Sequence, residues 1–100
     1  MAKEVSIDEL QESLADGAFL IDVREVSEYQ SGHVPGAKHI PLGALQENLN
    51  EIPRDQQVWI ICQSGGRSMK AANALEDLGY TAVSVAGGTG AWIESGRATA

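Results

Sequence analysis

The sequence holds one cysteine in 100 residues, Cys62, and that excludes an internal disulfide. A lone cysteine suits a reducing compartment, where thiols stay free. Basic residues are also scarce. Seven Lys and Arg face 14 Asp and Glu, for a formal net charge of −7. Nucleic-acid binding asks for a basic face, so that class of function is set aside. No apolar run approaches the roughly 20 residues of a membrane-spanning helix. The opening Met1-Ala2-Lys3-Glu4 lacks the apolar core of a secretion signal. These absences predict a soluble, cytoplasmic protein that meets neither membrane nor nucleic acid. Internal repeats, low-complexity stretches and linkers are missing too, so a single domain over residues 1–100 is expected, with its core at about 6–94.

What is present suffices for a core. Apolar residues make up 43% of the chain, so folding needs no disulfide or metal. The pattern alternates strand and helix. Glu4-Val5 reads as a short edge strand. Ser6 and Glu9 form a capping-box signature, and Ile7, Leu10 and Leu14 follow as a helical stripe closed by Gly17. Phe19 to Val23 is an apolar run broken only by Asp22, as in a strand buried on both faces. Glu25 to Gln30 reads as a helical turn, and Pro35-Gly36 as a breaker. Lys38 to Ile40 is a short strand stopped by Pro41. Leu42, Leu45 and Leu49 share one helical face, and Pro53 ends that segment. Val58 to Ile61 is the most hydrophobic strand. Ser68 to Leu78 is the best helix, with Gly79 just past its end. Thr81 to Val85 is the last strand, Gly87-Gly88 a turn, and Thr89 to Glu94 a short closing helix.

This alternation predicts an α/β fold: a small, mostly parallel sheet of about five strands with helices on both faces. In such sheets ligands bind beyond the carboxyl ends of the strands. Asp22 with Arg24, the His39–Pro41 stretch, Cys62 and Gly87-Gly88 would then share one edge.

Cys62 is the chemical centre of that edge. It follows an apolar strand and precedes Gln63-Ser64-Gly65-Gly66-Arg67-Ser68. Glycines let backbone N–H groups turn inward, and a helix opening behind them adds its positive end. Such a nest lowers a thiol pKa and yields a thiolate nucleophile. The alternative is a small core residue, the commoner fate of a buried cysteine. Arg67 and Lys70 fall in the first helical turn, where the macrodipole disfavours cations. Either an anionic substrate neutralises them or they extend into water. Ser64 and Ser68 serve either as donors to the same centre or as helix caps. Asp22 reads as a charge-paired structural acid beside Arg24, and His33, in its Pro-Gly turn, as either a structural hydrogen bonder or, like His39, an activating base for Cys62. His33, His39 and Cys62 are too few and too scattered for a zinc site.

Three blocks resemble the signatures of single-domain rhodaneses. The first runs from Leu20-Ile21-Asp22-Val23-Arg24 through Glu28-Tyr29 and Gly32-His33-Val34-Pro35-Gly36-Ala37 to Ile40-Pro41. The second, Cys62 to Arg67, looks like the family's six-residue active-site loop. The third is Gly87-Gly88-Thr89-Gly90-Ala91-Trp92. The resemblance covers about Ser6 to Trp92 and implies a rhodanese-like fold and a sulfurtransferase. Cys62 would take a sulfane sulfur from a small anionic donor such as thiosulfate. A thiol, small or on a protein, or cyanide would then accept it. Gln63, Ser64, Gly65, Gly66, Arg67 and Ser68 would bind the substrate and the persulfide. No metal or organic cofactor is implied, and a monomer is expected. Two other functions stay in view. One is a non-enzymatic sulfur-relay or protein-binding module. The other is a phosphatase or arsenate reductase, against which only four residues separate Cys62 from Arg67.

Overall fold

The strand Gln57–Ile61 (β4) occupies the middle of a five-stranded sheet, and its composition explains why. Val58, Trp59, Ile60 and Ile61 are all buried, which only a strand covered on both faces can satisfy. The computed structural model describes all 100 residues. Around β4 lie Lys3–Val5 (β1), Phe19–Asp22 (β2), Lys38–His39 (β3) and Thr81–Val85 (β5), in the order β1-β5-β4-β2-β3. All four pairings are parallel. The helices are Ile7–Ala15 (α1), Val26–Gln30 (α2), Gly66–Asp77 (α3) and Gly88–Glu94 (α4).

The two faces of the sheet make two cores, and the period of two sorts the residues between them. Ile21, Val58, Ile60 and Ala82 join Ala71, Ala72 and Leu75 of α3 on one side. Leu20, Trp59, Ile61, Val83 and Val85 join Leu10 of α1 and Trp92 of α4 on the other. The helix starts have local causes. Ser6 Oγ accepts the Glu9 N–H at 3.1 Å, while the Ser6 N–H donates to Glu9 Oε1 at 3.0 Å, closing the capping box read from the sequence.

Three expectations need correction. The Leu42–Leu49 stripe is not an α-helix but two 3-10 pieces, Leu42–Ala44 and Gln46–Glu51. Asn48 leaves helical geometry there, and its side chain donates to Ala44 O at 2.7 Å, competing with the backbone ladder. The apolar stripe still faces the first core, with Leu45 buried in it and Leu42 and Leu49 packed against it. Second, α3 opens at Gly66, two residues before the position read from the sequence. Its N-cap is Gly65, so neither Ser64 nor Ser68 caps it. Third, Gly88 belongs to α4 rather than to the turn before it.

Parallel register brings the strand ends together. Asp22 lies opposite both Ile61 and His39, and Ile60 lies opposite Ser84. The segments after β2, β4 and β5 therefore emerge side by side, and Cys62 stands in the middle of them.

Candidate active site

Cys62 follows the last residue of β4 directly and is only 1% exposed. Its side chain falls on the face that α3 covers, so the sulfur looks at the opening of that helix. The Gly65 N–H donates to Sγ at 3.1 Å, and Ser68 Oγ lies 3.4 Å from Sγ. The chain reaches this geometry by turning sharply at Gly65, whose φ of +117° suits only glycine. Gly66 has an ordinary φ, and a Cβ there would meet nothing within 4 Å. Its missing side chain leaves the mouth of the loop open rather than shaping the turn.

Behind the sulfur is a short chain of hydroxyls. Ser68 Oγ donates to Gly65 O at 3.0 Å and lies 2.8 Å from Ser84 Oγ, and both serines are fully buried. Ser84 has Ser68 as its hydrogen-bond partner. With Ser84 donating, the Ser68 proton can turn from Gly65 O to an ionised sulfur. Burial by itself pushes the Cys62 thiol up. The Ser68 hydroxyl and the N–H groups of Ser68, Gly65 and Ser64 outweigh that burial, so the thiol sits below its ordinary value. Hydrogen bonds of this kind favour the ionised form of a thiol over its neutral form.

The remaining predicted residues take distinct places. Gln63 and Ser64 are exposed on the rim. Gln63 Oε1 accepts from Arg24 Nη1 at 3.1 Å, which ties the loop to the segment after β2. Arg67 is half-buried and does not stand free. Its Nη1 and Nη2 donate to Glu28 Oε1 and Oε2 at 2.8 and 2.9 Å. Lys70 is exposed and makes no ion pair.

Asp22 and Arg24 form a buried pair. Arg24 Nε donates to Asp22 at 3.0 Å, and Nη2 donates to Asp22 Oδ2 at 2.8 Å and to Gly32 O at 2.9 Å. Tyr29 stacks between the rings of His33 and His39, with centroids 3.7 and 4.4 Å away. His33 Nδ1 pairs with Tyr29 O at 2.9 Å, and His39 Nε2 with Arg24 O at 2.7 Å. Neither histidine is a hydrogen-bond partner of Cys62. No set of three or more His, Cys, Asp or Glu side chains comes together in a way that could hold a metal ion.

Sequence reasoning missed Glu28, Ser84 and the work of α4. The Thr89 N–H donates to Cys62 O at 2.8 Å, and the Gly90 N–H to Gln63 O at 3.0 Å. A Cβ on Gly88 would stand 2.4 Å from Cys62 O. The Gly87-Gly88-Thr89-Gly90 run is thus a buttress that must lie flush against the loop backbone. The signals in the sequence are the Gly87-Gly88 pair at the carboxyl edge and the Gly87–Trp92 block, and neither shows which backbone they meet. The two surface clefts, of about 450 and 360 Å³, lie against α1 and α4 and include no residue of 62–68. The Cys62 sulfur lies buried beneath the exposed residues Gln63, Ser64 and Gly66 of its own loop.

A model of the rhodanese-like domain matches residues 6–95. The chain belongs to the rhodanese-like family. A sulfurtransferase from Allochromatium vinosum is 35% identical over 99 residues, covering 96% of this chain and 92% of the relative. YtwF of Bacillus subtilis is 38% identical over 92 residues, with 90% and 89% covered. YrkF of the same organism is 42% identical over 64 residues, but this chain spans only 35% of its length. Among solved structures, a rhodanese-related protein from Thermoplasma volcanium superposes with a TM-score of 0.91 at 32% identity, covering 98% of this chain and 97% of that one. The five-stranded parallel sheet with its helices is the rhodanese-like α/β fold. Sulfur transfer is the general chemistry that the family and its sulfurtransferase relative support for this rhodanese-like domain. No helix is long and apolar enough to cross a membrane.

Proposed function

We propose that this domain is a sulfurtransferase that carries a sulfane sulfur as a persulfide on Cys62. The observation that carries the reading is the buried sulfur with Gly65 N–H at 3.1 Å and the Ser68 hydroxyl at 3.4 Å. In the first step the Cys62 thiolate attacks the outer sulfur of a donor such as thiosulfate. The new S–S bond forms as the donor's own S–S bond breaks, and the electron pair leaves with sulfite. The outer sulfur of the persulfide keeps the negative charge, which the inward N–H groups of the loop stabilise. In the second step an acceptor thiolate or cyanide attacks that outer sulfur, and Cys62 departs as the thiolate again. Gln63, Ser64, Gly65 and Gly66 frame the mouth through which the donor enters. Glu28 above all, and the Cys62 charge after it, raise the Arg67 pKa, so Arg67 lies within reach of charge on the sulfur.

The test is mass spectrometry after incubation with thiosulfate or a small persulfide. Cys62 is expected to gain one sulfur, and a thiol acceptor to remove it. Turnover that persists in Cys62→Ser would overturn the assignment. The exposed, small residues Ser64 and Gly66 above the sulfur support a second reading, in which the domain relays sulfur between proteins. A persulfide that forms from a protein donor, with negligible thiosulfate turnover, would favour it. The lone thiol suits a reducing compartment, and the protein is proposed to act there as a monomer without a cofactor.

A further inference from the structure

Arg67 is the one basic side chain between Cys62 and Ser68, and the natural expectation is that it draws an anionic donor to the sulfur. The fold gives it a carboxylate instead. Glu28 comes from α2, 39 residues earlier in the chain, and meets both outer nitrogens of the guanidinium at 2.8 and 2.9 Å. The match is a fork on a fork, the strongest geometry an arginine offers a carboxylate. Glu28 is itself held in place, because the Glu25 N–H donates to its Oε1 at 3.0 Å. The Arg67 bonds and that N–H hold the Glu28 carboxyl down to about 2, so it stays ionised at any physiological pH. Both side chains remain about a third exposed, so the pair sits at the rim rather than in the core. Glu25 adds a second negative charge close enough to raise the Arg67 pKa.

We propose that Glu28 determines donor specificity: by taking one N–H on each outer nitrogen of Arg67 and neutralising its charge, it selects against dianionic small donors and for persulfides of low charge. The inference rests on the reading that Cys62 accepts sulfane sulfur. A dianion such as thiosulfate must displace a preorganised carboxylate or approach a guanidinium already neutralised, with Glu25 beside it. A persulfide on an uncharged carrier needs only the open mouth at Gly66 and the N–H groups around the sulfur.

The test compares rates of Cys62 persulfide formation from thiosulfate and from 2-hydroxyethyl persulfide, which carries one charge. Glu28→Gln keeps the shape and an acceptor for the Glu25 N–H, but removes the negative charge and the second oxygen that Arg67 Nη2 bonds. The ratio of thiosulfate to hydroxyethyl persulfide rate constants is expected to rise about fivefold, the equivalent of one good surface ion pair. The gain should appear in KM for thiosulfate rather than in kcat, and should vanish when Glu28→Gln is made in an Arg67→Ala background. An unchanged or lower ratio in Glu28→Gln would overturn the proposal. So would an equal rise with and without Arg67, because Glu28 would then act without it. Absence of any Cys62 persulfide from either donor would instead overturn the reading of Cys62 on which the proposal stands.

Discussion

Two arginine–carboxylate pairs flank the carboxyl edge of the sheet, and they are built to opposite ends. Arg24 and Asp22 are 2% and 0% exposed, while Arg67 and Glu28 are 37% and 30% exposed. Arg24 has a partner for every nitrogen: Asp22 on Nε and Nη2, Gly32 O on Nη2, and Gln63 on Nη1. It is a strut, locking the segment after β2 to the cysteine loop. Arg67 bonds only Glu28, at the open rim. A charge with every nitrogen engaged in the interior is architecture. A charge with one exchangeable partner at an open rim is reached by a ligand only when that partner is displaced.

That contrast can be broken from either side. The largest effect is expected for Arg24→Ala, which leaves the buried Asp22 carboxyl without its guanidinium partner. Breaking a buried pair in this way costs about 3–5 kcal/mol, read as a lower denaturant midpoint, and the Cys62 loop should loosen with it. A loss below about 1 kcal/mol would mean that the interior pair is as dispensable as the outer one.

Ser68→Ala probes the loop that both arginines border. Removing the hydroxyl takes away the leading group that lowers the Cys62 thiol, while the burial that raises it stays. The midpoint of Cys62 alkylation against pH should therefore move up, toward or past the roughly 8.5 of a free thiol. The sign follows from linkage. A depressed thiol adds stability above the pH where the free thiol ionises, and that contribution fades as pH falls through the folded value. A midpoint that does not move would show that the N–H groups alone hold the thiolate.

Glu28→Gln should cost least, under about 1 kcal/mol, because its pair is open to water. Its pH signature is specific. The carboxyl falls from an ordinary 4.5 to about 2 on folding, so the pair stabilises fully above about pH 4.5 and is lost as pH drops toward 2. The stability difference between wild type and variant should shrink across that window in acid titrations followed by circular dichroism. A difference that persists below pH 2 would point to packing rather than charge.

The sequence by itself determined a good deal. The apolar runs at Phe19–Val23, Val58–Ile61 and Thr81–Val85 mark the inner strands, because only residues covered on both faces can be so uniformly apolar. Ser6 with Glu9 marks the start of α1, since both capping bonds are local and need no partner elsewhere. Cys62 and the glycine loop after it are legible for the same reason: a strand end, a turn and a helix start lie within seven consecutive residues. Even so, Gly65 rather than a serine caps α3, and Asn48 breaks the helix that the leucine stripe suggested. At Gly65 a left-handed turn displaces the expected serine cap, and at Asn48 a side-chain bond to the backbone interrupts an apolar stripe.

What only the tertiary structure decided is which polar groups meet. Periodicity assigns a residue to a face but not to a neighbour on another element. Nothing in the chain's order pairs Glu28 with Arg67, 39 residues away, or Ser84 with Ser68, 16 away. The parallel order β5-β4-β2 does so, by bringing three strand ends onto one edge. The same stacking turns Gly88 from a turn residue into a point of backbone contact, because a Cβ there has no room beside Cys62 O. The cysteine was visible from the start. Its hydroxyl chain, its buttress and the carboxylate that occupies its arginine required the folded molecule, since each is a contact between segments that the chain keeps apart.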